Sequence, residues 1–459
     1  MKINYEQFNL KNGIKVIYLP KNDNNISCIS VFIGVGSIDE PEHLRGASHF
    51  LEHILFKGTV ERPNPTQISK ELDSIGAYFN AYTDKDLTSF IIKLDSKYLE
   101  KGLSILGDML LNSIFDNANF ELEKRVVVEE INKSKDNPEQ QLIEDLYKIL
   151  FKGNPLENSI GAEEKYILNY TRNDIIDYYK KYYVSNNICI SISSNLDVES
   201  IKSILNNTYF KDYTKNKENK ENKSSTLEIQ TLPRFIVKNK DLEQVHIAIG
   251  FPIESRYSED KFTLEVIKIL LAGNMSSRLF IDLRETHGLS YNVSVSIDYY
   301  KNTGCFYIYT SFDKDSLFMK NESKLKNKEH LENVLFKEKN LLEFGPGGLP
   351  ILLENIKKLK KTKVGEEELN KVKGYLRGSL VLSTEDSHTL TDYYGKQVLH
   401  QHNPIIDFNY LIDKFTGVTA ESIIDVSNKY FNYNKMNISI SGGYNKDDIT
   451  YFIKEYLYS

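Results

Sequence analysis

The 459-residue chain has no tryptophan and only three cysteines, Cys28, Cys189 and Cys305, which lie far apart with no CxxC pair. That usage excludes a disulfide framework. It fits a reducing compartment in which each cysteine is a small apolar strand residue. No run of 18 apolar residues occurs, so no membrane-spanning helix is expected. Positive charge is not in excess either: 58 Lys and Arg stand against 64 Asp and Glu, a net charge of -6, which argues against a nucleic-acid binder. A leader segment is not expected, because INYEQFNLKNGIKVIYLP already reads as a hairpin turning at Asn12-Gly13, and a cytoplasmic location follows as the simplest expectation.

What the chain does have is length, and 459 residues exceed what one core organises. The break is KDYTKNKENKENKSSTLEIQ, residues 211–230, rich in lysine and asparagine and nearly free of apolar side chains. The expected layout is a first domain 1–212, a linker 213–226 and a second domain 227–459. Each half runs strand, helix, strands, helices. KVIYLP and ISCISVFIGVGSID lead to AYFNAYTDKDLTSFIIKL in the first; RFIVKN and QVHIAIGFPIES lead to YNVSVSIDYY and GCFYIYTSF in the second. The expectation is an α+β fold of two duplicated domains of similar size, each a mostly antiparallel sheet with helices on one face. Residues of about 315–349 have no counterpart in the first half and read as an insertion; their Gly-Pro-Gly-Gly end lacks the GK[ST] of a phosphate loop.

The chemistry concentrates at HFLEH, residues 49–53. On a helix His49, Glu52 and His53 share one narrow face, and two imidazoles at that spacing can chelate one metal ion with a carboxylate beside them. This is the zinc-hydrolase element HExxH in reverse order. Accidental spacing is the bland alternative, so a third ligand is required. NFELEKRVVVEEINKSKDNPEQ reads as a helix with Glu123 and Glu130 seven residues apart on one face. Spacing alone leaves Glu129 and Glu130 both open as the ligand.

GASHFLEHILFKGT followed by LEKRVVVEEI resembles the pitrilysin/insulinase family of inverted-motif zinc peptidases, in its half-length bacterial and mitochondrial-processing-peptidase-like branch. The likeness extends over nearly the whole chain. It implies one zinc ion per chain held by His49, His53 and Glu130, Glu52 as general base, and Glu123 as support for the site. GAYFNAYTDKDLTSF is similar to the family's substrate-binding edge strand, with Asn80 and Ala81 at its contact positions. MSSRLFIDLRETHGLSY is similar to the segment that supplies an arginine and a tyrosine, here Arg284 and Tyr291. Ser48 stands where the family has alanine, and Thr286-His287 where it more often has charged residues. His287, His388, His400 and His402 are not expected as ligands.

The resemblance further implies a clamshell around a closed chamber, a homodimer, and a zinc metalloendopeptidase acting on extended peptides or unfolded precursor segments. Two rival classes share the fold: a structural or assembly subunit, and a peptide-binding chaperone. Neither needs the zinc set and the Arg/Tyr pair together, and this chain keeps both.

Overall fold

A computed structural model describes residues 3–214, 228–318 and 346–444, together with 446, 447, 449–451 and 453. Residues 215–226 of the expected linker and 319–345 of the expected insertion lie outside the described residues. The described ends of that insertion are tied together: the Gly348 and Leu349 N–H groups donate to the Ser316 and Leu317 carbonyls, each at 2.9 Å. Among the described residues no helix is long and apolar enough to cross a membrane.

The chain forms two compact units. The first comprises Met1–Ser134, Asn158–Lys223 and Gly378–Leu411; the second comprises Lys135–Glu157, Ser224–Arg377 and Ile412–Ser459. Each unit therefore holds most of one sequence half and one helical segment of the other.

The first unit is built on six strands: β1 (Glu6–Asn9), β2 (Lys15–Pro20), β3 (Ile26–Ile33), β4 (Tyr78–Thr83), β5 (Thr88–Asp95) and β6 (Ile188–Ser194). Their order is β1-β2-β6-β3-β5-β4. All neighbours are antiparallel except β2 and β6. The β1–β2 hairpin turns where the sequence placed it, with Gly13 at φ +95. Side chains alternate across the sheet. Ile29, Val31 and Ile33 enter the main core with Phe50, Leu103, Val127 and Ile175 from the helices on that side. Ile17, Leu19, Phe32 and Cys189 point the other way, against Leu390, Tyr394 and Val398 of the helix Ser387–Leu399. So a helix is added on the second face, beyond the one-faced packing expected. The unbroken burial of β6 follows, since a strand covered on both sides has no solvent face.

The second unit has five strands: β7 (Arg234–Asn239), β8 (Gln244–Ile253), β9 (Val293–Tyr299), β10 (Gly304–Asp313) and β11 (Asn437–Gly442). The order β7-β11-β8-β10-β9 repeats β2-β6-β3-β5-β4 position for position, again with the one parallel pair at β7 and β11. The helix Pro138–Leu150 covers one face, packing Leu142 and Leu146 on Ala248 and Tyr309. On the opposite face Phe251 and Phe306 meet Phe431, with ring centroids 5.1 and 4.9 Å apart. The internal duplication read from the sequence is thus a repeat of strand order, and the fold is α+β with two similar domains.

Candidate metal centre

The pentad lies on the short helix Ala47–Ile54. Its N-cap is Gly46, at φ +88, a left-handed conformation that glycine adopts without strain. Glycine offers no capping side chain, so Glu40 supplies the missing acceptor: its carboxylate takes the Gly46 N–H at 2.6 Å and the Ser48 N–H at 2.8 Å. Burial pushes the Glu40 carboxyl up to about 8, against the pull of those two N–H groups. Phe50, Leu51 and Ile54 bury the opposite side of the helix. Ser48 is buried too, and its hydroxyl pairs with the Tyr178 hydroxyl at 2.9 Å, which accounts for a polar side chain at that position.

That anchoring brings His49 and His53 side by side, their Nε2 atoms 3.3 Å apart. The helix Asn117–Asp136 delivers Glu130, whose Oε2 lies 3.3 Å from His53 Nε2 and 3.8 Å from His49 Nε2. These three donors form the one group among the described residues with metal-holding geometry. Glu129 is not in it. The separations suit a zinc ion: donors on a tetrahedral ion with bonds of about 2.0–2.1 Å stand about 3.4 Å apart. Two neutral imidazoles and a carboxylate with one side left open are also the donor set of hydrolytic rather than structural zinc sites.

The surroundings hold these side chains in place. Glu123 is 3% exposed; its Oε1 contacts His53 Nδ1 at 3.0 Å, and its Oε2 pairs with Lys57 at 3.0 Å. This fixes the tautomer that leaves His53 Nε2 turned toward the metal position. Burial lowers the basicity of His53, but the hydrogen bonds its ring donates to Glu123 and Glu130 outweigh it and push the ring up to about 9. His49 goes the other way, down to about 4, through burial first and the neighbouring His53 charge second. Burial also raises the Glu52 carboxyl, opposed by a hydrogen bond that its Oε2 accepts from Thr83 at 2.6 Å. For Glu130 the His53 hydrogen bond is the main cause of a lowered carboxyl.

Asn80 and Ala81 lie on β4, the edge strand of the first sheet. Asn80 Oδ1 accepts the Ala81 N–H at 2.9 Å, and Asn80 Nδ2 donates to the Tyr78 hydroxyl at 3.2 Å. Arg284 and Tyr291 belong to the second unit and are brought together there. The Arg284 guanidinium carbon lies 4.7 Å from the Tyr291 ring centroid and 4.9 Å from that of Phe280, a cation held between two aromatic faces. Tyr291 is 80% exposed. Three contributors went unread in the sequence: Glu40, Lys57 and Thr83. Two carried a signal, since Lys57 follows His53 by four residues and Thr83 shares the face of Ala81 on a strand of period two.

Residues 15–164 match the family model described as insulinase (peptidase family M16), and residues 169–340 match one described as peptidase M16 inactive domain. A Rickettsia felis protein named an uncharacterized zinc protease is 30% identical over 432 residues, covering 94% of this chain and 96% of its own. A Bacillus subtilis protein, also named an uncharacterized zinc protease, is 27% identical over 432 residues, covering 93% and 95%. The crystal structure of a protease from Helicobacter pylori shares the fold with a TM-score of 0.84 at 19% identity, covering 96% of this chain and 100% of that one. Both halves are matched, and relatives align along nearly their full length. The chain belongs to the insulinase family of peptidases, family M16, in its half-length bacterial form.

Proposed function

We propose that the chain is a zinc-dependent endopeptidase, with one zinc per chain, that cuts extended peptides or unfolded polypeptide segments within a closed chamber. The observation that carries this reading is the convergence of His49, His53 and Glu130 on one point, with the half-buried carboxylate of Glu52 on the same helix face. A bound zinc ion would polarise the scissile carbonyl and make water acidic enough to attack near neutral pH.

The chain's own groups do the rest. Glu52 takes a proton from the attacking water and hands it to the departing amine nitrogen; a carboxyl raised by burial is better matched to that task than an ordinary one. Glu123 keeps His53 oriented through Nδ1. Asn80 and Ala81 receive the substrate as an added strand, so that main-chain hydrogen bonds carry affinity with little side-chain preference. Tyr291 stabilises the oxyanion that develops on the substrate, and Arg284 holds the substrate backbone. A homodimer is the accompanying expectation, to be read by sedimentation.

The test is digestion of a mixed peptide library with and without chelator, alongside Glu52→Gln. Cleavage should stop with chelator. Glu52→Gln should keep its zinc while turnover falls by about 10²–10⁴-fold, the usual contribution of a positioned acid–base group. Cleavage that survives both treatments would overturn the proposal, and loss of zinc from Glu52→Gln would overturn the role given to Glu52.

A further inference from the structure

Strand β4 sets one hydroxyl against the carboxylate of Glu52. Thr83 Oγ1 donates to Glu52 Oε2 at 2.6 Å, a contact spanning 31 residues of sequence. Thr83 closes β4, its position fixed by pairing with Thr88 of β5, whose own hydroxyl donates to the Val35 carbonyl at 2.9 Å. The donor is therefore held by the sheet. Glu52 stands on a helix of eight residues with several rotatable bonds of its own.

We infer that Thr83 is a positioning residue for the general base: it fixes Oε2 and so aims Oε1 at the space beside the three metal-binding side chains. The inference rests on the reading of Glu52 as that base. A hydrogen bond between a hydroxyl and a carboxylate is charge-assisted and short, as this one is, and it selects one rotamer of an otherwise mobile side chain. Among the described residues Glu52 Oε1 makes no hydrogen bond, so one oxygen is tethered and the other is left for proton transfer. The tether comes from the same strand that carries Asn80 and Ala81. Substrate backbone and base are thereby referenced to one rigid element, which keeps the attacking distance constant while side chains of the substrate vary. No hydrogen bond joins Thr83 to His49, His53 or Glu130, so metal retention and base alignment are separable.

The experiment compares Thr83→Val, nearly isosteric without the hydroxyl, with Thr83→Ser, which restores it, both in the full chain. Thr83→Val should bind zinc with unchanged stoichiometry, keep KM within about twofold, and lose about 10- to 100-fold in kcat, the scale of a base displaced by a fraction of an ångström or more. Thr83→Ser should recover to within a few-fold of the parent. A second readout needs no turnover: in metal-free protein, the melting-temperature shifts of Thr83→Val and Glu52→Ala should be non-additive, because alanine removes the acceptor that the Thr83 hydroxyl uses. An active parent with an equally active Thr83→Val, equal losses in the valine and serine variants, or strictly additive melting shifts would each overturn the inference alone. A parent with no chelator-sensitive cleavage would overturn the endopeptidase reading and this inference with it.

Discussion

The helix Ala47–Ile54 and the helix Asp260–Ala272 hold the same place in chain order, each between a central strand and the edge hairpin of its own sheet, yet they carry opposite chemistry. The first buries Phe50, Leu51 and Ile54 on one side and keeps His49, Glu52 and His53 on the other. The second has no histidine and buries Phe262, Leu264, Val266, Ile267, Leu270 and Leu271. Strand order and the single parallel pair are the same in both units. A repeated sheet therefore does not specify a site. In the first unit the chain gives up apolar surface on that helix, and Glu40, Glu123 and Lys57 supply the polar partners that buried charge requires. In the second the same position is used for core.

The largest way to break this comparison is to cut the chain. Residues 1–212 contain all the side chains proposed to hold the metal but lack the helix Ser387–Leu399. Without it Ile17, Leu19, Phe32 and Cys189 lose their cover. The expected outcome is that 1–212 alone neither melts cooperatively nor binds zinc, and that joining residues 378–411 to it restores both. Calorimetry and metal analysis check this. A well-folded, zinc-binding 1–212 fragment would show that the borrowed helix is dispensable.

Metal comes next in size. Zinc at about a thousandfold above its dissociation constant should stabilise the protein by about 4 kcal/mol. His53→Ala and Glu130→Ala should lose that gain. Hydrogen exchange should show protection on zinc addition in the helices Ala47–Ile54 and Asn117–Asp136 and none in Asp260–Ala272. Equal protection of all three would mean that the units do not differ as described. Retention of zinc by Glu130→Ala would move the third ligand elsewhere.

A smaller effect follows from His53 in metal-free protein. Its folded value is pushed up to about 9, whereas an unfolded histidine titrates near 6.5. Between those values the folded state holds a proton that the unfolded state has released. The stabilisation is thus complete below pH 6.5 and is lost as pH rises through 9, a change of at most about 3 kcal/mol. Melting curves of chelated protein from pH 6 to 9.5 should show the decline. Glu123→Gln should flatten it, and zinc should also flatten it by taking the place of the proton. A steeper slope in Glu123→Gln would contradict the assignment.

What the sequence disclosed depended on how local each signal was. The pentad was legible because its residues are three and four apart. Glu130 over Glu129 was not, since both are exposed on one helix and the choice rests on a contact 77 to 81 residues away, counted from His53 and His49. The strands flanking each turn read clearly from alternation. The two parallel strands β6 and β11 went unread: ICISISS and NISISG alternate isoleucine with serine, and each pairs with strands distant in the chain. Of those buried serines, Ser194 finds its partner only after folding, its hydroxyl meeting that of Ser27 at 2.7 Å. The exchange of helices between the sequence halves was invisible for the same reason: Ser387–Leu399 reads as a helix but not as one that crosses to the other sheet.

The smallest prediction asks whether the two borrowed helices are seated alike. Each approaches its sheet over a glycine, but from opposite partners. In the first unit the glycine is on the helix: a Cβ at Gly395 would lie 2.3 Å from Phe32 Cε2 and 2.9 Å from Ser191 Cβ. In the second it is on the strand: a Cβ at Gly250 would lie 3.0 Å from Leu146 Cδ2 and 3.1 Å from Leu150 Cδ1. Phe32 is fully buried and cannot swing away, so Gly395→Ala must push the helix off the sheet. Overpacking of that kind costs about 1–3 kcal/mol, offset by roughly 1 kcal/mol because alanine favours helix over glycine. Leucine termini at the second site can shift by a few tenths of an ångström, and alanine there also relieves the entropy cost of glycine in a strand. Gly395→Ala should therefore lower the melting temperature by several degrees more than Gly250→Ala, whose net effect should stay within about 0.5 kcal/mol. The reverse order in a thermal melt would mean that the second unit's helix is seated as tightly as the first.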